Sequence, residues 1–504
     1  MNYVLCSAYF AVLLLLAMYG LHRSHLVITC LRHKKRLEAM SQDAPAVLPS
    51  HLPQVTIQLP LYNEATVATR LLDHVARIDY PRDRLEIQVL DDSTDETRAL
   101  LRSHVERLRK QGLDVVYLHR VDRVGYKAGA LDAGLAVAKG DLVAIFDADF
   151  LPQPDFLQRI VPHFVADEKV GMVQARWGHL NRDHSMLTKT QALMLDGHHL
   201  VENRARSAAG WLFNFSGTGG MWRREAIATA GGWQHDTLTE DLDLSYRAQL
   251  AGWKFLYREA VVSPAELPED LSSFRAQQFR WAKGTVQTAR KLLVSKVLRA
   301  DLTFAQRVEA FFHMTPHFAY PLMVVLSVLL LPALLCMPAT NPRTMLLIDL
   351  PLCLGTTGSL AAFYAMAESA QGRPRLGALK QLPALLALGV GMAPHLTKAV
   401  FEGLRQMAGE FVRTPKKGIS QGRYRARTDL PFREIGLALF SFVSTVASVQ
   451  TGHFFATPFA ALFASGYGYV ALLVFAEQTG RRRGASVPAP ALESSSLAAE
   501  KLAA

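Results

Sequence analysis

The chain has 504 residues, half of them hydrophobic, and a formal net charge of +11. That length and apolar content exclude a single ordinary globular domain and leave room for a large core plus membrane-spanning segments. The positive charge gathers beside apolar runs, at Arg32, Lys34, Lys35 and Arg36, at Lys416, Lys417, Arg423, Arg425 and Arg427, and at Arg481, Arg482 and Arg483. This placement assigns it to topology and lipid headgroups, not to nucleic acid.

The first apolar run goes from Val4 to Leu21, and no clear small-residue cleavage site precedes RHKKR. Residues 1–31 therefore read as a retained transmembrane anchor with its N-terminus outside. Cys6, Cys30, Cys336 and Cys353 lie in or beside apolar segments without a CxxC pair. They read as small buried hydrophobes, with no disulfide framework and no zinc site.

Residues 50–295 alternate strand and helix patterns. QVTIQLP (54–60), LEIQVLDD (85–92), VVYLHR (115–120) and LVAIFDAD (142–149) read as strands. Between them, 64–77, 95–110 and 127–138 read as helices. The order predicts an α/β domain with a doubly wound, mostly parallel sheet. Ligands of such sheets bind outside the carboxyl ends of the strands, where Asp91, Asp92, Asp147 and Asp149 fall.

A membrane bundle is expected over 310–478, with apolar runs at 312–337, 344–366, 380–401, 435–450 and 456–476. If 380–401 crossed, the basic stretch 402–434 would lie outside, and the run also carries Pro383, Pro394, His395 and Lys398. It reads instead as an interfacial helix along the inner surface, leaving two out-and-back pairs of spans and a cytoplasmic sheet domain. Residues 484–504, rich in Ala, Ser and Pro, are expected to be disordered.

Two acidic pairs at neighbouring strand ends suit a divalent cation on a diphosphate, since Mg2+ and Mn2+ take oxygen ligands and share positions with substrate phosphate. The competing reading is that each Asp caps the next turn. In TLTEDLDL (237–244), Thr237 and Glu240 fit a capping box, while Asp241 at a crevice rim fits a general base. In QQFRW, Gln277, Arg280 and Trp281 share a helical face. That face suits a guanidinium fork for phosphate and an indole for a sugar ring, or equally an amphipathic surface helix. The glycines of FSGTGGMWR (215–223) and GYKAGAL (125–131) allow close backbone approach, with Lys127 in reach of a phosphate. His198 and His199 are not read as metal ligands.

DD at 91–92, DAD at 147–149, TED at 239–241 and QQFRW at 277–281, in that order, resemble the processive family 2 glycosyltransferases, which include the cellulose, hyaluronan and mannan synthases. VLDDSTDET, GYKAGAL, VAIFDADF, VQARW, AGGW, TEDLDL and GWKFLY look closest to the plant cellulose-synthase-like A and C groups and their bacterial relatives. The resemblance covers about 50–290, and FVRTPKKG (411–418) looks like the family's gating-loop region. One departure is Ser216, where relatives often carry Asn.

The resemblance implies a GT-A fold in which Asp91, Asp92, Lys127, Asp147 and Arg280 meet a nucleotide-sugar donor, UDP-glucose or GDP-mannose. It further implies that Asp147 and Asp149 hold Mg2+ or Mn2+, that Asp241 is the base, and that Gln277, Trp281 and Glu240 meet a growing polysaccharide acceptor. The expected activity is inverting, processive β-glycan synthesis coupled to export, with self-association or accessory subunits left open. The alternatives are a non-processive transferase acting on a lipid such as ceramide or polyprenyl phosphate, and a non-catalytic scaffold or nucleotide sensor.

Overall fold

The structure is a computed structural model and describes residues 2–41, 51–336, 354–409 and 430–485. Helices α1 (Asn2–Arg32) and α2 (Lys34–Ser41) lead to the sheet domain. There β1 (Val55–Leu61), α3 (Ala68–Val75), β2 (Leu85–Asp91), α4 (Thr97–Lys110), β3 (Asp114–His119), α5 (Tyr126–Val137) and β4 (Leu142–Ile145) alternate as expected. These four strands are parallel. Then come α6 (Phe156–Ala166), β5 (Val170–His179), α7 (Met186–Gly197), α8 (Asn203–Ala209), β6 (Gly220–Arg223), α9 (Arg224–Thr229), α10 (Glu240–Leu250) and β7 (Lys254–Ala265). The sheet order is β3-β2-β1-β4-β6-β5-β7, with β6 antiparallel to both neighbours.

Alternation along β4 feeds two cores. Leu142 and Ala144 enter the cluster with Ile57, Leu71 and Phe156, while Val143 and Ile145 enter the one with Leu131, Trp222 and Phe255. On the second face β1 and β2 carry a buried polar ladder, Thr56 to Glu86 at 2.7 Å and Gln58 to Gln88 at 3.0 Å. Helix α5 closes over it because Gly134 has no side chain; a Cβ there would stand 2.6 Å from Gln58 Nε2.

Two local expectations are corrected. β4 stops at Ile145, four residues before the predicted end, so Asp147 and Asp149 sit on a turn beyond the strand; Thr218 Oγ1 accepts from Asp147 N–H, and Phe150 N–H returns to Asp147 O. The Thr237–Glu240 capping box does not form. Helix α10 begins at Glu240 with Thr239 as its N-cap and no side-chain cap bond, because the Thr239 hydroxyl is engaged with Thr288 at 3.0 Å.

Helix α11 (Leu271–Thr288) follows β7, and α12 (Phe304–Met314), α13 (Ala319–Cys336), α14 (Ser359–Ala370), α15 (Arg375–Arg405), α16 (Phe432–Gln450) and α17 (Thr457–Ala485) form the helical region. Among the described residues, five helices are long and apolar enough to cross a membrane: Val4–Arg32, Pro316–Cys336, Arg375–Arg405, Phe432–Gln450 and Thr457–Thr479. The expected span 344–366 is described only from residue 354. The gating-like segment 411–418 and nearly all of the tail 484–504 lie outside the described residues.

Several helices are tied to the sheet domain at one end. Cys30 of α1 donates to Val201 O, Glu368 of α14 meets Arg182, Glu434 of α16 meets Arg275, and Glu477 of α17 accepts from Leu271 N–H and Ser272. Helix α15 differs. Arg373, just before it, binds Asp196 of α7, and Glu402 near its far end binds Lys283 of α11. Both ends of this 31-residue helix, about 46 Å long, are thus tied to the sheet domain.

Asp196 is the hub of the first tie. It is 1% exposed and receives His179 at 2.9 Å, Arg182 at 2.6 Å and Arg373 at 3.1 Å, with both arginines continuing to Glu368. Replacing Asp196 with Ala leaves two guanidiniums sharing one carboxylate in a buried place. We expect a loss of about 3 kcal/mol, read as a lower melting temperature of the detergent-purified protein; an unchanged melting point would contradict this.

Candidate active site

A cleft opens at the carboxyl ends of β1, β2 and β4 and is closed by α11. Tyr62, Glu64 and Asp92 line it from the first strands, Arg123 and Lys127 from the start of α5, and Asp147 and Asp149 from the turn after β4. Trp177 and His179 come from the end of β5, Ser216 and Gly217 from the loop before β6, and Glu240 and Asp241 from the start of α10. Glu266 follows β7, and Gln277, Arg280 and Trp281 come from α11. Four separate sequence motifs therefore meet in one place.

Asp91 is the exception. Its side chain is fully buried outside the cleft, accepting from Tyr117 Oη at 2.5 Å and Ser93 N–H at 2.9 Å. It shapes the loop after β2, whereas Asp92 reaches the cleft. Arg120 holds Asp92 through two parallel bonds of 2.8 and 2.6 Å, the bidentate geometry that fixes a carboxylate plane. Beside it the Arg123 guanidinium lies 3.3 Å over the Tyr62 ring. Arg120, Arg123 and Tyr62 were not singled out from sequence, because no motif spacing links them.

At the centre, Lys127 Nζ sits 2.6 Å from Asp147 Oδ1 and donates to Gly217 O at 2.8 Å. Gly217 has φ +81°, and a Cβ on it would stand 3.0 Å from Asp241 Oδ2. The glycine is therefore required twice, by its backbone and by the carboxylate behind it. Asp241 Oδ1 accepts from Leu242 N–H at 2.8 Å.

The electrostatics follow from burial and crowding. Burial, reinforced by the neighbouring Glu240 charge, pushes the Asp241 carboxyl up to about 7. Burial also raises Glu240 and Asp147, against the pull of Lys127 on each. Burial works to lower Lys127, but Asp147, Glu240 and Asp241 outweigh it and hold the ammonium above its ordinary value. Burial lowers Arg280 despite the same acids.

The lining acids Glu64, Asp92, Asp147, Asp149, Glu240, Asp241 and Glu266 outnumber the lining cations Arg123, Lys127 and Arg280. A diphosphate entering this cleft needs added positive charge. Asp147, one-third exposed, and Asp149 offer only oxygen donors, and among the described residues no group of three or more His, Cys, Asp or Glu is placed to hold a metal ion by itself. That sparse, hard set fits a divalent cation whose remaining positions go to water and phosphate.

The other wall is aromatic. Trp281 faces the cleft from α11, and Trp177 from β5, its Nε1 donating to Thr218 O at 3.2 Å. His179, absent from the sequence expectations, lines the cleft with its Nε2 bonded to Asp196. Its signal was local, two residues beyond the VQARW motif. His199 is buried between Trp177 and Tyr257, and His198 bonds Glu202, so neither reaches the cleft.

The sheet order and this cleft define a glycosyltransferase of GT-A type. Residues 53–284 match the family model described as glycosyltransferase like family 2. The chain is 34% identical over 465 residues to glucomannan 4-beta-mannosyltransferase 1 of Oryza sativa subsp. japonica, covering 87% of each chain. It is 35% identical over 416 residues to glucomannan 4-beta-mannosyltransferase 2 of Arabidopsis thaliana, covering 78% of this chain and 76% of that one. The fold is shared with the mannosyltransferase PcManGT from Pyrobaculum calidifontis, solved with GDP-Man and Mn2+, at a TM-score of 0.51 and 23% identity over 77% of this chain and 99% of that one. The chain belongs to glycosyltransferase family 2.

Because the Glu240 charge helps hold Asp241 up, Glu240→Gln should move the acidic limb of the pH–rate profile to lower pH. Initial rates from pH 5 to 9 would show it; an unmoved limb would mean that Glu240 does not act on Asp241.

Proposed function

We propose that this protein is an inverting, processive β-glycan synthase of the membrane that builds β-1,4-linked mannan or glucomannan from GDP-mannose. The observation that carries the reading is Asp241, a carboxylate poised near neutral pH in the cleft that also holds Lys127, Arg280 and two tryptophans. The choice of mannose over glucose rests on the glucomannan mannosyltransferases of rice and Arabidopsis, aligned over most of this chain. These relatives support the polymer reading over the lipid-acceptor and scaffold alternatives.

In this reading Trp281 and Trp177 stack on the acceptor sugar, and Gln277 and Glu240 bond its hydroxyls. Asp241 takes the proton from the attacking hydroxyl, which strikes the anomeric carbon on the face opposite the diphosphate. Lys127 and Arg280 stabilise the charge on the leaving diphosphate. Asp147 and Asp149 would hold Mg2+ or Mn2+, which supplies the charge neutralisation that an acidic cleft otherwise denies a diphosphate. An α-linked donor thereby yields a β-linked product without a covalent intermediate.

The proposed topology keeps the sheet domain cytoplasmic, with α15 along the inner surface. The ties at both ends of α15 support this, because a crossing helix would carry its ends to opposite faces. The growing chain would leave through the helices beside α11.

The test is release of nucleoside diphosphate from the purified protein with Mn2+ across GDP-mannose, UDP-glucose and UDP-N-acetylglucosamine. We expect release from GDP-mannose, falling about 100-fold or more in Asp241→Asn. The same variant should melt higher than wild type at pH 8. A carboxyl whose folded pKa is raised weakens folding progressively as pH climbs from its ordinary value to the raised one, in full by pH 8, and Asn removes the burden. Turnover of UDP-glucose alone would replace mannan with glucan, and full activity in Asp241→Asn would remove the base assignment.

A further inference from the structure

The second half of α11 is packed at backbone contact on two sides. A Cβ on Gly284 would stand 2.7 Å from Thr239 Cγ2 and 2.8 Å from Thr239 N, and one on Gly403 of α15 would stand 2.8 Å from Lys283 O. The strand of chain leading to Asp241, helix α11 and the end of α15 thus form three layers with no side chain to spare between them.

Gln287 runs through this stack. It is fully buried. Its Oε1 accepts from Leu238 N–H at 3.0 Å, three residues before Asp241. Its Nε2 donates to Gln406 O at 2.9 Å and Ala408 O at 2.6 Å, on the segment leaving α15. Ala408 N–H closes the loop by donating to Asp236 O at 2.7 Å. The amide has one orientation that satisfies all three partners, since a flip would set NH2 against N–H and oxygen against two carbonyls.

We propose that Gln287 is a positioning residue for Asp241, and that through it the C-terminal end of α15 sets where that carboxylate stands in the cleft. A shift of α15 relative to the sheet domain is transmitted to the base loop through Gln287 and the Ala408–Asp236 backbone bond beside it, without any contact between α15 and the reacting atoms. The inference rests on the reading of Asp241 as the base.

The experiment uses the full-length detergent-purified protein and diphosphate release from whichever donor it turns over. Gln287→Leu removes all three bonds. Gln287→Glu keeps an acceptor for Leu238 N–H but sets a carboxylate against two carbonyl oxygens, and Gly403→Ala pushes α15 off α11 at a position that does not line the cleft. We expect kcat to fall about 100-fold in Gln287→Leu with donor KM unchanged. As the loop loosens and water reaches Asp241, the acidic limb should move to lower pH. Gln287→Glu and Gly403→Ala should change kcat and the limb in the same direction, and they decide the matter if Gln287→Leu does not fold by its melting curve. Wild-type kcat and pH profile in any folded Gln287 variant, or a loss confined to donor KM, overturns the proposal. Turnover that survives in Asp241→Asn overturns the base assignment and this proposal together; turnover lost there but untouched at Gln287 overturns this proposal alone.

Discussion

One 18-residue helix, α11, is committed on both its flanks, and the rest of the molecule is arranged around that constraint. Its cleft side supplies Gln277, Arg280 and Trp281. Its other sides hold the long apolar helices, through Arg275 to Glu434, Lys283 to Glu402 and Gln287 to the end of α15, while its N-terminal amides are bonded to Glu477 of α17. Chemistry at the sheet and position in the bundle are therefore read out by the same backbone. A binding cleft built on loops alone would not carry that coupling.

The second organising fact is the excess of carboxylates at the strand ends. It makes an anionic donor unwelcome until a cation arrives, while burial and the neighbouring Glu240 charge raise Asp241 into the range useful to a base. Both consequences come from packing acids where water is scarce. Other buried carboxylates are held by ion pairs, Asp92 by Arg120 and Asp196 by its two arginines.

Much of this was legible in the sequence. The alternation in LEIQV, the continuous apolar run LVAIF and the helical segments between the strands specify the parallel half of the sheet, and carboxylates at strand ends point to the crevice. The antiparallel strand β6 was missed because GMWR is only four residues and reads as part of a glycine-rich turn. Asp91 and Asp92 could not be told apart, since which of two adjacent aspartates turns inward depends on Tyr117 and Arg120 from distant segments. The same holds for His179 and Gln287, whose roles exist only once α7, α10 and α15 are brought against them. The capping box at Thr237 fitted the local pattern, but the helix starts at Glu240 with Thr239 as its N-cap, too late for Thr237 to cap it.

The most direct test is a structure of the protein with GDP-mannose and Mn2+ bound, determined by electron cryomicroscopy in lipid nanodiscs. The account predicts the diphosphate between Lys127, Arg280 and the Asp147–Asp149 turn, with the nucleoside beside Tyr62 and Asp92. It predicts the anomeric carbon facing the gap between Asp241 and Trp281. A donor bound outside this cleft, or one whose anomeric carbon turns away from Asp241, would contradict it.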